Sequence, residues 1–280
     1  MNNSTLALDT ATLCAALATL SFESERSFTW QPKNDEQQRL LNLLDDKWAP
    51  YHFFKGPQPQ VAQSHEELNA FQQEHGLMPS FKELGPKGIG IATVLRLTPP
   101  WWAGAIRSRL SNEGTTYRSF DVPANGVRVV TRKGYDNPVI HIPATDGTTL
   151  WLNVMQRPSD ELALSEAAAK LIEADEISQP RHAAVRLPTL KIDVPVDLSW
   201  MHRLSLNDRS INQASQHLTI QLNEEAAYGA GIRNIATLSE LKPQIELNQP
   251  FLGFFTGSTK IPFGTFYADR DSWQTSLEAL

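Results

Sequence analysis

His217-Leu218-Thr219-Ile220-Gln221-Leu222-Asn223-Glu224-Glu225 alternates without a break, with Leu218, Ile220 and Leu222 on one side and Thr219, Gln221 and Asn223 on the other. A period of two is that of a β-strand, and an apolar set on one side alone means that one face meets a core. Past this strand the pattern stops. Glu224 to Asn248 carry neither a helical nor a strand period, and so long a connection inside a compact domain is usually functional or disordered. Beyond it, Phe251–Phe255 and Phe263–Tyr267 read as two strands of a terminal hairpin, with Gly257-Ser258 at its tip. Upstream, Leu187–Val196 reads as a further strand.

Working outward, Ile89, Ile91, Val94, Leu95 and Leu97 form a β-prone run that stops at Pro99-Pro100-Trp101-Trp102. Shorter strands are expected at Arg118–Val122, Val127–Thr131, Val139–Ile142 and Leu150–Met155, separated by turn signals such as Asn125-Gly126 and Asp146-Gly147. Four segments carry helical signals. Leu6–Phe22 places Leu6, Leu13, Leu17 and Leu20 on one face, with Asp9 or Thr10 as cap, and Asp35–Trp48 carries an apolar stripe. Ser64-His65-Glu66-Glu67 is a capping box opening a helix that ends at Gly76, and Ser159–Ala174 is marked by Leu162, Leu164, Ala168 and Leu171. The mixture predicts a single α+β domain over 1–280. Its large, mainly antiparallel sheet should hold Ile89–Leu97, Leu190–Val196 and His217–Asn223 side by side, with smaller sheets and several helices around it.

Composition narrows the function. In 280 residues, 41% hydrophobic, there is enough apolar chain for a sizeable core. The net charge of -6, with no stripe of Lys or Arg, argues against a nucleic-acid partner. No apolar run approaches the roughly 20 residues that span a bilayer, so no membrane partner is expected. Met1–Asp9 lacks a basic start, and the chain reads as cytoplasmic or as a trimmed mature form. Cys14, the only cysteine, sits among apolar residues and reads as a buried small hydrophobe rather than a nucleophile.

Catalytic signatures are missing. His65-Glu66-Glu67-Leu68-Asn69 begins like a zincin helix, but Asn69 stands where the second ligand belongs. Gly85-Pro86-Lys87-Gly88-Ile89-Gly90 lacks the P-loop ending and runs into a strand. No Gly-x-Ser-x-Gly elbow occurs, and the other histidines share no ligand spacing. The residues predict no enzyme, no metal site and no cofactor.

The order of segments in the C-terminal half resembles the serpin family. Val94-Leu95-Arg96-Leu97 before Trp101-Trp102-Ala103-Gly104 is similar to the serpin central strand and breach segment, with Arg96 where the family carries Asn. Leu187-Pro188-Thr189-Leu190-Lys191-Ile192, followed by Val196-Asp197-Leu198, is similar to the Leu-Pro-Lys-Phe-x-Ile strand with its trailing Asp-Leu. His217–Glu225 stands where serpins carry the strand that ends in Asn-Glu, just before the reactive loop. Asn248-Gln249-Pro250-Phe251-Leu252 and Ile261-Pro262-Phe263-Gly264 resemble the final hairpin. The likeness covers roughly residues 64–270. It implies a serpin-like fold with a reduced N-terminal helical part, Leu6–Leu20 standing in for the central buried helix.

The resemblance implies a serine protease inhibitor, a monomer whose exposed loop, 226–243, is bait for a serine protease and inserts into the main sheet after cleavage. Its hinge would be Ala226, Ala227, Gly229, Ala230 and Gly231, small enough for a strand sliding between packed neighbours. The bait would be Leu238-Ser239, with Arg233 as second choice for a trypsin-like enzyme, and Trp101 and Trp102 would pack at the breach. The alternative is a non-inhibitory serpin-fold binding or scaffolding protein whose loop does not insert. Arg233 favours it, because Arg233 shares the inward parity of Ala227, Gly229 and Gly231, and a buried unpaired Arg is costly.

Overall fold

Alternation and capping account for most elements of the computed structural model, which describes residues 5–22, 30–47, 59–101, 105–224, 244–258 and 261–275. In chain order these are β1 (Ala7–Leu8), α1 (Thr10–Phe22), β2 (Trp30–Gln31), α2 (Asp35–Lys47), β3 (Gln60–Ala62), α3 (His65–Glu74), β4 (Gly88–Leu97), β5 (Ile106–Asn112), β6 (Thr115–Val122), β7 (Arg128–Val130), β8 (Val139–Pro143), β9 (Thr149–Val154), α4 (Glu161–Glu173), β10 (Arg181–His182), β11 (Val185–Pro188), β12 (Leu190–Val196), β13 (Ser205–Leu206), β14 (Arg209–Leu222), β15 (Ile245–Glu246), β16 (Phe251–Thr256) and β17 (Pro262–Ala268). They form three sheets. One has seven strands in the order β1-β17-β16-β9-β8-β7-β10, one has four in the order β15-β11-β6-β5, and one has six in the order β2-β13-β14-β4-β3 with β12 also against β14. The described residues fall into two compact units, 1–7, 96–193 and 219–280 in the first, and 8–95 and 194–218 in the second.

The first unit contains the four-stranded sheet and nearly all of the seven-stranded one. From β17 through β10 the seven-stranded sheet pairs antiparallel throughout. Every residue of β16 and β17 is buried, the pattern of strands covered on both faces. Gly253 faces Phe266 across that pair, and a Cβ at 253 would stand 2.1 Å from the Phe266 ring, so the ring lies over bare backbone. Helix α4 covers the sheet with Leu164, Ala168 and Leu171, which pack with Val139, Trp151 and Phe254. Its first turn is capped by Asp160, whose Oδ1 accepts from Ala163 N at 2.7 Å. At its other end the buried Arg132 donates from Nη1 to Ile172 O at 2.9 Å and Ala174 O at 2.5 Å, putting a cation on the carbonyl end of the helix.

Arg132 also lies 5.0 Å over the Trp151 ring, and Trp151 packs its other neighbour His141 at 3.8 Å. His141 Nδ1 is 3.3 Å from the guanidinium of Arg128, which is locked to Glu176 at 2.7 and 3.0 Å. Burial, reinforced by the positive charges of Arg128 and Arg132, pushes the imidazole down to about 3.

In the second unit, α1 differs from its expected one-faced pattern. Ala11, Leu13, Cys14, Ala16 and Leu17 are all fully buried, as befits a helix apolar almost all round, and Leu6 lies ahead of its first turn. Burial, with Asp9 nearby, holds the Cys14 thiol far above its usual value, so it stays protonated and inert. Helix α3 begins where the capping box predicts, with Glu67 N donating to Ser64 Oγ at 3.4 Å. The hydroxyl itself goes to Glu66 Oε2 at 2.6 Å, so Glu66 and not Glu67 closes the cap. The C-terminus is a Schellman turn: Gly76 has φ +70°, Gly76 N bonds Gln73 O, and Leu77 N bonds Gln72 O. Leu68 packs under this helix against Ala62, Phe81, Leu84 and Ala92, which seats α3 on β3 and β4.

Two expectations need correction. Leu187–Val196 is not one strand: at Thr189 the chain leaves the four-stranded sheet, where Val185–Pro188 pairs with β6, and Leu190–Val196 joins β14. Thr189 N still donates to Arg118 O of β6 while its carbonyl accepts from Gln274 N, and the next residue, Leu190, begins the strand that joins β14. Strand β5 was not expected, because Arg107, Arg109 and Ser111 on its outer side give an edge strand a polar look. Its turn into β6, Glu113-Gly114 with φ +48° and +81°, is the two-residue hairpin turn that joins such strands.

Two outcomes are expected. Ser64→Ala should lower unfolding free energy by about 1 kcal/mol in urea titrations, since it removes the α3 cap. His141 is held neutral in the folded chain and has an ordinary affinity for protons when unfolded, so its contribution is complete above about pH 6.5 and is lost as pH falls toward about 3. His141→Phe should therefore show a smaller fall in urea midpoint between pH 6.5 and pH 4 than the unmodified chain.

Candidate functional site

The longest strand, β14, carries the features that converge on one place. The expected strand His217–Asn223 is its second half, and the first half carries polar side chains that tie it down. Leu218, Ile220 and Leu222 are buried as the alternation requires. Gln216, two residues earlier on the same face, is buried as well, and its amide is fully used. Its Oε1 accepts from Asp9 N at 2.8 Å, while Nε2 donates to Asp9 O at 3.0 Å, Thr93 Oγ1 at 2.9 Å and Thr12 Oγ1 at 3.3 Å. One side chain of β14 thereby clasps β4 and the start of α1.

Ahead of Gln216, the side chains of β14 hold the segment that links α3 to β4. Gln213 exchanges two bonds with the backbone of Lys82, at 2.8 and 3.0 Å, and Asn212 donates to Leu84 O at 2.5 Å. Gln72, buried on α3, donates to Ser80 Oγ at 2.9 Å and to Ser215 Oγ at 3.3 Å. Helix α3 is thus fastened to the middle of β14 by hydrogen bonds as well as by the Leu68 cluster.

In the first unit, the end of β14 is held by Trp101. Its indole Nε1 donates to Asn223 O at 2.8 Å, and its ring, wholly buried, stacks on Phe120 at 5.8 Å. Glu224 meets Arg107 Nε at 2.5 Å. The chain resumes at Gln244, whose N–H bonds Ala184 O, and Ile245–Glu246 pairs parallel with Val185–Arg186. Arg186, doubly bonded to Asp121 at 2.7 and 2.9 Å, also reaches Glu246 at 3.1 Å. The described residues on either side of 225–243 are therefore anchored by named bonds. Ala226, Ala227, Gly229, Ala230, Gly231, Arg233, Leu238 and Ser239 lie outside the described residues, as does Trp102.

The strand order is the telling feature. β14, the strand that leads into the excursion, is bonded to β12 on one side and directly to β4 on the other. With three sheets, this order and the terminal hairpin β16–β17, the topology can be compared with known folds. It is similar to Serpin48, a highly specific serpin of the insect Tenebrio molitor, with TM-score 0.58, 12% identity and coverage of 95% of this chain and 92% of that one. It is equally similar to mouse protein-Z dependent protease inhibitor, with TM-score 0.58, 11% identity and coverage of 95% and 90%. Human thyroxine-binding globulin complexed with thyroxine matches with TM-score 0.56, 12% identity and coverage of 95% and 92%.

This is a serpin fold. No family model and no curated protein matches the sequence, so the likeness lies in three-dimensional structure. Among the described residues no cluster of His, Cys, Asp and Glu is placed to hold a metal ion, and no helix is long and apolar enough to cross a membrane. In this serpin fold the residues that the sequence reading passed over are Gln216, Thr93, Arg107 and Glu224. Gln216 had a signal, being a polar residue at the parity of Leu218, Ile220 and Leu222.

Gln216→Leu is expected to lower unfolding stability by on the order of 2 kcal/mol, because it removes the side-chain acceptor of Asp9 N and the amide donor to Thr93 Oγ1 in a dry site. Adding Thr93→Val should cost less than the sum of the two single changes, since both partners are then gone. Urea titrations of the four proteins measure the coupling.

Proposed function

We propose that the protein is a serine protease inhibitor that uses the loop 226–243 as bait, and that the loop inserts between β4 and β14 after cleavage. The observation that supports this reading is the direct pairing of β14 with β4, the seam that an additional strand would have to enter. Two relatives in fold are described as a highly specific serpin and a protease inhibitor.

In the proposed cycle the protease serine hydroxyl attacks the carbonyl carbon of Leu238. The Leu238–Ser239 bond breaks, the Ser239 amine leaves with a proton, and Leu238 remains as an acyl ester on the enzyme. Ala226, Ala227, Gly229, Ala230 and Gly231 then enter the sheet as a strand without forcing bulky groups into the core. For this to happen β4 and β14 must part, which requires the Gln216–Thr93 bond to break and α3 to yield its hold on Ser215. Arg233 serves as the bait for a trypsin-like protease in the same scheme. The active species in this scheme is a monomer.

The second reading is a non-inhibitory serpin-fold binding protein. Arg233, at the inward parity of the hinge, favours it, and thyroxine-binding globulin gives a precedent for a ligand-carrying relative in fold.

Mixing the protein with chymotrypsin-like, subtilisin-like or trypsin-like proteases should give an adduct that survives boiling in detergent. Cleavage within the loop should raise the melting temperature sharply. An unchanged melting temperature with no adduct would leave the binding-protein reading. Ala227→Arg should convert the inhibitor into a substrate, cut at the same bond but releasing the protease.

A further inference from the structure

Among the described residues of this acidic chain, a group of arginines lines a cavity. In the first unit, a cleft of about 420 Å³ is walled by Arg107, Arg109 and Arg118 together with Thr189, Gln221 and Glu224. Arg109 and Arg118 are exact cross-strand partners in the β5–β6 ladder, and Arg107 lies two residues from Arg109 on the same face. Like charges placed directly opposite each other on a sheet repel. Arg107 is compensated by Glu224 at 2.5 Å. No described acidic side chain lies within ion-pair distance of Arg109 or Arg118. The wall also includes Thr189, which is only 5% exposed and whose Oγ1 finds no hydrogen-bond partner among the described residues.

Two guanidinium groups on cross-strand partner positions of one cleft, with no acidic partner among the described residues and with a buried unsatisfied hydroxyl in the same wall, match a doubly charged oxyanion. Arginine suits phosphate because its planar fork bonds two oxygens at once. The rest of the wall constrains the body of the ligand. The lining is entirely polar or charged and includes no aromatic ring, so a flat base has nothing to stack on. Gln221 and Thr189 offer donors and acceptors suited to hydroxyl groups. The volume is in the range of small-molecule pockets and exceeds what inorganic phosphate alone would fill.

We infer that this cleft binds a phosphorylated polyol, a ligand of sugar-phosphate size whose phosphate sits between Arg109 and Arg118 and whose hydroxyls meet Thr189 and Gln221. The site uses the last residues of β14 and the β5–β6 hairpin, and its occupancy neutralises the repulsion between Arg109 and Arg118.

Calorimetric titration and thermal unfolding of the full chain at low ionic strength, with glucose 6-phosphate, glucose, inorganic phosphate and adenosine monophosphate as probes, test this. Glucose 6-phosphate should bind saturably and raise the melting temperature, at least tenfold tighter than inorganic phosphate or adenosine monophosphate, and glucose should show no binding. Arg118→Gln and Arg109→Gln should each weaken glucose 6-phosphate at least tenfold while leaving the unliganded protein as stable as before or more so, because each relieves the repulsion. That opposite movement separates loss of a ligand contact from loss of fold. Absence of saturable binding, equal affinity for inorganic phosphate or adenosine monophosphate, or unchanged affinity in both variants would overturn the inference.

Discussion

The amide of Gln216 is the constraint on which the central sheet turns. A side chain with two donors and one strong acceptor is surrounded by the backbone of Asp9 and the hydroxyls of Thr12 and Thr93, and all of them are dry. In such a place each bond is worth little compared with the cost of leaving a partner unmade. The network therefore acts as an all-or-none tie: β14 stays against β4 and the start of α1, or several buried groups lose their partners together. A purely apolar contact at that position would resist separation in proportion to area and would permit gradual sliding.

The seven-stranded sheet is held by different physics. β16 and β17 are buried along their whole length, with Gly253 letting the Phe266 ring lie on the backbone and α4 closing over Leu252 and Phe254. Dispersion and close packing make such a core stiff and intolerant of change. Its buried imidazole, His141, is kept neutral by burial and by two arginines, so it takes up no proton near neutrality.

Arginine placement sharpens this division. Arg132 and Arg186 are spent on structure, one on the carbonyl end of α4 and the other on Asp121 and Glu246. Arg107 is spent on Glu224, beside the start of the loop. Arg109 and Arg118 are spent on nothing described, and they face each other. In a chain with net charge -6, that local positive charge is what the proposed phosphate site draws on.

By itself the sequence determined the local pieces: the alternation of Leu218, Ile220 and Leu222, the cap at Ser64, the hairpin at Gly257-Ser258, and the order of segments that resembles a serpin. These are legible because periodicity and capping act over a few residues. Tertiary structure alone decided the rest. It broke Leu187–Val196 between two sheets at Thr189, made β5 an edge strand despite its charges, and gave the cap hydroxyl of Ser64 to Glu66. It also gave Gln216 its role, through partners 207 and 123 residues away in sequence, and set Arg109 opposite Arg118 through the register of a hairpin. Alternation states that a face is buried, but what meets a polar group on that face is fixed only when distant segments arrive, because hydrogen bonds are satisfied in space and not along the chain.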